Sequence, residues 1–314
     1  MSTKTVYQKI ALEKIDMEDR SFSLSPTEET LSEEFRQSIG NYGIIHPPLL
    51  LERDGRYLVV SGRKRLRGAT EVLGLDHCYC LVFPPDTTEA RALALALEDI
   101  RTDRPLSPAE EAICWKKARR ILGDQARVKF GPLLVITDQL SPSKLEELPD
   151  LDQEILEALD KGKINLKTVS RLLEMDSESR LQLSNITTIL HLSHSNQRKL
   201  VDQCLELSKR HKKTVAELLS AAELRVILDH PETNPPQKTA LLMNWLKKLC
   251  HPRLSEAEKD YGNFVRALDL PVNVTIDHAR SFENDSLKVT IEFRDRQELE
   301  KKWQALKDIL PQTI

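Results

Sequence analysis

The chain has 314 residues, of which 40% are hydrophobic and 30% charged, and its formal net charge is −3. This length allows two or three domains with cores of their own, and the charge excludes a polycation that coats nucleic acid by charge alone. No run approaches the roughly 18 apolar residues of a membrane helix, and the start lacks an apolar signal-peptide core, so we expect a cytoplasmic protein without membrane contact.

The first hundred residues alternate between strand and helix patterns. QKIALEKI predicts a strand, and apolar side chains four apart over 31–43 predict a helix that ends at a glycine. Two apolar runs then flank Asp54 and Gly55, a pair that favours the positive φ angles of a tight hairpin. A helix over 63–73, a strand at CYCLVF and a helix at TTEARALALALEDI follow.

From Ser107 onward the pattern is almost wholly helical. Ser107, Pro108 and Glu110 form a helix start in which the serine caps and the glutamate closes a capping box. Further helical runs cover roughly 150–228 by the same periodicity. The segment DHPETNPPQ at 229–237 holds three prolines and predicts a linker before two more helices, KTALLMNWLKKL and SEAEKDYGNFVRAL.

The last 45 residues or so predict two strands and one helix, because apolar residues alternate in VNVTI and LKVTIEF and then recur at helical spacing. The strand faces comprise Val272, Val274 and Ile276, and Leu287, Val289, Ile291 and Phe293; after Asp295 as cap, the helix stripe comprises Leu299, Trp303, Leu306 and Leu310. Such a unit has too little core to stand alone. We expect a two-fold partner to cover it through Ile291, Phe293, Leu299, Trp303 and Leu306; the alternative is that the stripe packs on the chain's own middle helices.

A basic cluster follows the strand YLVVS directly. Ser61 and Gly62 end this strand, and a helix begins at Arg63, so cationic side chains and the free N–H groups of a first helical turn converge. Arginine adds bidentate recognition of phosphate oxygens. The cluster therefore predicts an anion site, and the alternative is a solvated first turn. The five cysteines have no zinc-type spacing and predict reduced thiols.

Four segments in order, SIGNYGIIHPPLLL, YLVVSGRKRLRGA, LALALEDIR and LSPAEEA, resemble the amino-terminal domain of the ParB family of DNA-segregation CTPases, which includes chromosome-partitioning and nucleoid-occlusion proteins. Histidine stands at 46 where the first motif usually has glutamine. In the second motif Arg63 replaces a glutamate and Lys64 replaces an arginine. In the third, Asp99 replaces an asparagine.

The resemblance implies that CTP and Mg²⁺ bind here, with slow hydrolysis at most and with catalytic residues unknown. The implied nucleotide-binding residues are Gly43, His46, Pro47, Ser61, Gly62, Arg63, Lys64, Arg65, Arg67, Glu98, Asp99 and Arg101. Glu98 and Asp99 are the implied metal ligands, since Mg²⁺ prefers hard oxygen donors. The alternative for these two carboxylates is an ordinary acidic helix end.

The middle of the chain leaves room for a helix-turn-helix, although Gly131 and Pro132 interrupt the pattern. The stretch LPDLDQEILEALDKGKINLKTVSRLLEM is similar to the family's helices that follow this motif. DNA contacts are predicted from the cluster KKARR and from a candidate recognition helix capped at its start, with SKRHKK at 208–213 as a further basic cluster. The predicted DNA-binding residues are Lys116, Lys117, Arg119, Arg120, Ser141, Ser143 and Lys144.

The fold class expected is α+β, with four parts: a ParB-like α/β nucleotide-binding domain (1–105), a helical DNA-binding domain with a degenerate helix-turn-helix (106–228), a linker with connecting helices (229–269) and a β-β-α dimerisation unit (270–314). The resemblance implies a CTP-gated homodimeric DNA clamp in chromosome or plasmid partition or nucleoid organisation. The alternatives are a ParB-fold phosphotransferase or nuclease-like enzyme, and a transcription regulator without nucleotide control. The start MSTKTVYQ lacks a long basic tail, which argues against a ParA-type ATPase partner.

Overall fold

The computed structural model describes residues 5–27, 30–278 and 287–309. The chain divides into two units, 1–201 and 202–314. This division falls inside the segment 106–228 that the sequence predicts as one helical domain. Among the described helices none is both long and apolar enough to cross a membrane.

The first unit begins with a mixed α/β part and continues as a helical part. The α/β part contains β1 (Val6–Ala11), β2 (Ile15–Asp16), α1 (Glu33–Tyr42), β3 (Leu49–Arg53), β4 (Arg56–Ser61), α2 (Arg63–Glu71), β5 (His77–Phe83) and α3 (Glu89–Asp103). The helical part contains α4 (Pro108–Leu122), α5 (Gln125–Lys129), α6 (Ile136–Gln139), α7 (Pro142–Glu147), α8 (Gln153–Asp160), α9 (Leu166–Leu172) and α10 (Ser177–Ile189). Short 3-10 helices cover Leu12–Lys14, Gly131–Leu133 and Leu148–Asp150.

Helix α11 (His194–His211) contains the boundary between the units. The second unit continues with α12 (Val215–Leu219), α13 (Ala222–Asp229), α14 (Pro235–Cys250), α15 (Pro252–Ala267), β6 (Val274–His278), β7 (Leu287–Ile291) and α16 (Arg296–Ile309). A mixed sheet at the amino terminus and a largely helical remainder confirm the expected α+β class at this level.

A five-stranded sheet of order β1-β5-β3-β4-β2 organises the α/β part. β1 and β5 are antiparallel, as are β3 and β4, whereas β3 runs parallel to β5 and β2 runs parallel to β4. Leu66 and Ala69 of α2 pack with Leu50, Val59 and Val82 of the sheet, all of them buried. Helix α2 is therefore fixed against one face of the sheet, with its first turn at the end of β4.

The hairpin and the first two helices form where the sequence predicts them. Asp54 and Gly55 adopt φ angles of 51° and 76° between β3 and β4, as a tight primed turn requires. The helix predicted over 31–43 is α1, and the helix predicted over 63–73 is α2, which ends two residues earlier. These elements are confirmed because each is determined by residues close together in the chain.

The strand predicted for QKIALEKI is wrong as a single element. β1 ends at Ala11, a 3-10 turn follows, and Ile15 starts β2. β1 pairs with β5 and β2 pairs with β4, so the two halves of the segment lie at opposite edges of the sheet. Alternation of side chains predicts extended backbone, but it does not reveal such a break.

The capping box at the start of α4 is confirmed, since the Ser107 hydroxyl accepts from the Glu110 N–H and the Glu110 carboxylate accepts from the Ser107 N–H. The predicted linker 229–237 is shorter than expected. α13 ends at Asp229 and α14 begins at Pro235, so residues 230–234 join them. The pair Pro235 and Pro236 starts α14, because the N–H groups of the first turn of a helix need no partner within the helix.

At the carboxyl end, β6 and β7 pair antiparallel and α16 follows them. Val274 and Ile276 are buried as predicted, whereas Val272 precedes β6 and is 80% exposed. Phe293 lies beyond β7. Leu310 lies outside the described residues. The five cysteines are buried free thiols.

Candidate nucleotide-binding site

The turn between β4 and α2 brings the backbone of Gly62 close to that of Pro48. Gly62 occupies the N-cap position with φ 90° and ψ 24°, a left-handed conformation that glycine adopts freely. A Cβ at this position would lie 3.0 Å from the Cα atom of Pro48. No side chain caps α2, so its first N–H groups remain available to an anion.

This turn lies in the wall of a cavity of about 590 Å³. The volume is in the range of pockets that hold ligands of nucleotide size, about 300–1,000 Å³. Of the predicted nucleotide-binding residues, those that line the cavity are Gly43, His46, Ser61, Gly62, Arg63, Lys64, Arg65 and Asp99. Those outside its lining are Pro47, Arg67, Glu98 and Arg101. Residues from three separate segments, at 43–46, 61–65 and 99, thus meet at one place.

Arg65, Ser61 and Asp99 form a tight polar cluster in this wall. One Asp99 oxygen, Oδ2, accepts from the Ser61 hydroxyl at 2.5 Å and from Arg65 Nη2 at 2.6 Å. Arg65 Nη1 donates to the carbonyl oxygens of His46 and Pro47, at 3.2 Å each. The Arg65 guanidinium is therefore held in place between the first and third predicted motifs.

Arg63 plays a part that the sequence did not indicate. Its side chain is buried and donates to the carbonyl oxygens of Met17 and Asp19. The Arg63 guanidinium is thus engaged in the segment after β2, although the residue also lines the cavity, and its place among the nucleotide-binding residues stays a prediction. Lys64, by contrast, is exposed and makes no hydrogen bond or ion pair with the described residues.

The two carboxylates predicted as metal ligands point in different directions. Glu98 is exposed and pairs with Arg101 at 3.0 Å, and neither residue lines the cavity. Only Asp99 of the pair reaches the cavity wall. The described residues contain no cluster of three metal-ligating side chains. That Glu98 and Asp99 are metal ligands stays a prediction, and of the two carboxylates Asp99 is the one in the cavity lining.

One wall of the cavity comes from a segment with no recognised motif, residues 17–27, here called the strap. Arg20 Nη2 donates to the carbonyl oxygens of Ser25 and Thr27, both at 2.8 Å. Gln153 of α8 donates to the Pro26 carbonyl at 2.6 Å. The strap residues in the lining are Phe22, Ser23, Leu24, Ser25 and Thr27. No motif marks this wall; the signal that the sequence offers is the short alternation of Phe22 and Leu24 with serines, and both of these apolar side chains are buried.

Lys117 of α4 also holds the strap, by donating to the carbonyl oxygens of Arg20 and Ser21, the latter at 3.0 Å. Burial, together with the nearby charges of Arg120 and Arg20, lowers the pKa of Lys117 to about 8.

The helical part contributes further residues to the lining of the cavity. Arg104 pairs with Glu110 at 2.6 Å, and Ser107 donates to Asp160. Arg104, Glu110, Asp160 and Lys161 all face the cavity.

Most of the residues predicted to bind DNA make contacts within the chain. Lys116 pairs with Asp150, and Arg119 pairs with Asp124 and Glu146. Arg120 is exposed and makes no hydrogen bond or ion pair with the described residues. These surface pairs are weak, worth about 0–1 kcal/mol, so DNA phosphates can compete for them.

The candidate recognition helix is α7, six residues long. Ser141 stands at its N-cap position without bonding a backbone N–H, and its hydroxyl meets that of Ser143 at 3.2 Å. Lys144 is directed to α9, where it contacts the Ser170 carbonyl at 2.8 Å and Glu174 at 2.9 Å. The helix-turn-helix stays a prediction.

Residues 1–98 match the family model of the ParB N-terminal domain. The chain is 31% identical over 154 residues to the chromosome-partitioning protein Spo0J of Thermus thermophilus, which covers 49% of this chain and 55% of that protein. It is 29% identical over 91 residues to a nucleoid occlusion protein of Halalkalibacterium halodurans, which covers 29% of this chain and 31% of that protein. The chain therefore matches about half of the first relative's length and less of the second.

Two solved structures of C-terminally truncated ParB from Caulobacter crescentus are also similar. The complex with CTP-gamma-S is 14% identical with a TM-score of 0.25, covering 63% of this chain and 92% of that one. The complex with the centromeric parS site is 16% identical with a TM-score of 0.31, covering 62% and 99%. These TM-scores are too low to support an inference. The sequence matches identify residues 1–98 as a ParB N-terminal domain, and the chain resembles a chromosome-partitioning protein and a nucleoid occlusion protein over part of their length.

Proposed function

We propose that the cavity binds CTP and that the chain is a nucleotide-gated DNA-binding protein in DNA partitioning or nucleoid organisation. The observation that carries the proposal is the meeting of an uncapped helix start, Lys64 and Arg65 in the wall of one cavity. The choice of CTP among nucleotides follows from the family resemblance, and the partition role follows from the relative named as a chromosome-partitioning protein. We propose that CTP acts as a switch ligand, hydrolysed slowly at most.

The phosphates would contact the first N–H groups of α2, the Ser61 hydroxyl, Lys64 and Arg65. Each charge-assisted hydrogen bond of this kind contributes about 1.5–3 kcal/mol. His46 and Gly43 line the same cavity and would border the rest of the nucleotide. Bound Mg²⁺ would supply neutralisation of phosphate charge, with Asp99 as the protein carboxylate within its reach.

The test is calorimetric titration of the full chain with CTP, UTP, ATP and GTP, with and without Mg²⁺. We expect CTP to bind, and Arg65→Ala to weaken binding at least tenfold, since that is the loss of one charged hydrogen bond of about 1.5–3 kcal/mol. Arg67→Ala is the matched control, because Arg67 lies on the same helix outside the cavity lining. Equal affinities for both variants would exclude this turn as the phosphate site.

We propose that DNA is bound through exposed cations of the helical region. The end of α11 and the turn after it carry the exposed side chains of Lys209, His211, Lys212 and Lys213. Contacts to phosphates release counterions, so affinity should fall steeply with salt. In gel shifts at rising NaCl, the double variant Lys212→Glu/Lys213→Glu should bind more weakly and with a shallower salt slope. Lys9→Glu/Lys14→Glu, on exposed positions of the sheet domain, should bind as the parent does.

We further propose that the β-β-α unit forms a homodimer. Phe293 and Trp303 are each 50% exposed, whereas Leu306 of the same predicted stripe is buried in its own chain. A two-stranded sheet is marginal by itself, and large exposed aromatic residues are favourable anchors for a partner. Light scattering should report a dimer for the full chain and a monomer for Phe293→Asp/Trp303→Asp. The control Gln304→Asp, at an exposed position of α16, should stay dimeric.

A further inference from the structure

Asp99 holds two of the groups that a phosphate would need. Its Oδ2 atom accepts from the Ser61 hydroxyl at 2.5 Å and from Arg65 Nη2 at 2.6 Å. Both donors belong to the β4–α2 turn that would bind phosphate. The side chains of Arg65 and Asp99 are only 19% and 26% exposed, so the pair is shielded from most of the solvent screening that weakens surface pairs.

Asp99 takes the single O–H of Ser61 and one of the five N–H donors of Arg65. Nη1 is occupied by the carbonyl oxygens of His46 and Pro47, while Nη2 is directed to Asp99. A carboxylate oxygen and a phosphate oxygen are both anionic acceptors, so each can accept the same hydrogen bonds from a guanidinium and from a hydroxyl. A phosphate that accepts from the Ser61 hydroxyl and from the same Arg65 N–H must therefore displace the Asp99 carboxylate.

We propose that Asp99 is a built-in competitor, a tethered carboxylate that occupies the phosphate-binding donors of the turn when no nucleotide is bound. This inference rests on the proposed function, since it concerns the same cavity. Asp99 lowers nucleotide affinity in two ways. It withholds Ser61 and Arg65 from the incoming phosphate, and its negative charge repels that phosphate across a short distance. The residue thus sets the nucleotide concentration at which the cavity fills.

The experiment compares CTP binding by the full chain and by Asp99→Asn, measured calorimetrically in buffer with EDTA. Divalent cations are left out because a cation beside Asp99 would neutralise the carboxylate and hide its effect. Asparagine keeps the size of the side chain but not its charge. We expect CTP to bind Asp99→Asn at least tenfold more tightly than the parent, which corresponds to about 1.4 kcal/mol. Inorganic tripolyphosphate, which has no base, should show the same gain.

Asp103→Asn is the matched control. Asp103 lies one helical turn after Asp99 on α3 and lines the same cavity, but it is exposed and holds no described partner. The Asp103→Asn variant therefore removes the same formal charge without releasing Ser61 or Arg65. Its affinity for CTP should differ from that of the parent by less than threefold. Thermal denaturation without nucleotide shows whether each variant is folded. Asp99→Ser, also uncharged but shorter, replaces Asp99→Asn if the latter is not.

The outcomes separate the two ideas. Equal or weaker CTP binding by a folded Asp99 variant, when the parent binds CTP, overturns the competitor role and leaves the nucleotide site intact. Equal gains for Asp99→Asn and Asp103→Asn also overturn it, because general charge would then explain the effect. If neither the parent nor any folded variant binds CTP in EDTA, the competitor role is overturned, because removal of the carboxylate then releases no binding. Absence of CTP binding to the parent with Mg²⁺ present as well refutes the proposed nucleotide function.

Discussion

Replacing Arg63 by methionine should destabilise the amino-terminal unit. The buried guanidinium donates to the carbonyl oxygens of Met17 and Asp19, and so ties the start of α2 to the strap. Methionine keeps much of the apolar stem but leaves both carbonyls without this donor. Each hydrogen bond from a charged group contributes about 1.5–3 kcal/mol, partly offset by the cost of burying the charge, so we expect a loss of about 3 kcal/mol.

Urea denaturation of the full chain measures the loss, and hydrogen exchange over residues 17–27 shows whether it is local to the strap. Lys64→Met is the matched control on the same turn. Lys64 is exposed, so its replacement should change the free energy of unfolding by less than about 0.5 kcal/mol while weakening CTP binding. If Arg63→Met unfolds at the same urea concentration as the parent and strap exchange is unchanged, the assignment of Arg63 to the strap is refuted.

Three further changes test other features. Gly62→Ala should cost about 2 kcal/mol in thermal denaturation, because it adds a contact with Pro48 to the strain of positive φ, whereas Gly74→Ala, with open space around it, should cost about 1 kcal/mol. The pKa of Lys117 is lowered to about 8, so between that pH and about 10.5 the unfolded chain binds the extra proton. The parent should thus gain stability over Lys117→Met as pH rises from 7 to 10, by about 2 kcal/mol because part of the side chain reaches water. Burial raises the pKa of Glu111, so the folded state keeps its proton to higher pH than the unfolded chain. In urea denaturation, the free energy of unfolding of Glu111→Gln relative to that of the parent should therefore be higher at pH 7 than at pH 4.

Features determined by neighbouring residues could be predicted from the sequence. The hairpin at Asp54 and Gly55 needs only positive φ at two positions, and the capping box of Ser107 and Glu110 needs only residues three apart. One residue from each of the three motifs, Gly43, Ser61 and Asp99, lines the same cavity. That this cavity binds a nucleotide stays a prediction.

Contacts between distant residues could not be predicted in this way. Arg63 reaches a carbonyl 46 positions away, and Lys117 reaches carbonyls 96 and 97 positions away. A basic side chain next to a helix start predicts phosphate binding. The sequence pattern is the same when, as for Arg63, the N–H donors bind carbonyl oxygens of the strap instead. The direction of Glu98 away from Asp99 is a matter of helix rotation relative to the sheet. A single sequence holds no local signal for either outcome.

The border of the conserved domain and the border of the cavity do not coincide. The family model ends at residue 98, inside α3, one position before Asp99, and the cavity wall continues through Glu110 to Asp160 and Lys161. A chimaera joined at that border would inherit the sheet and the basic turn from one parent and the remaining wall from the other. In this chain, a graft that keeps the cavity whole must therefore carry the helices up to α8, and Lys161 after it, along with the sheet.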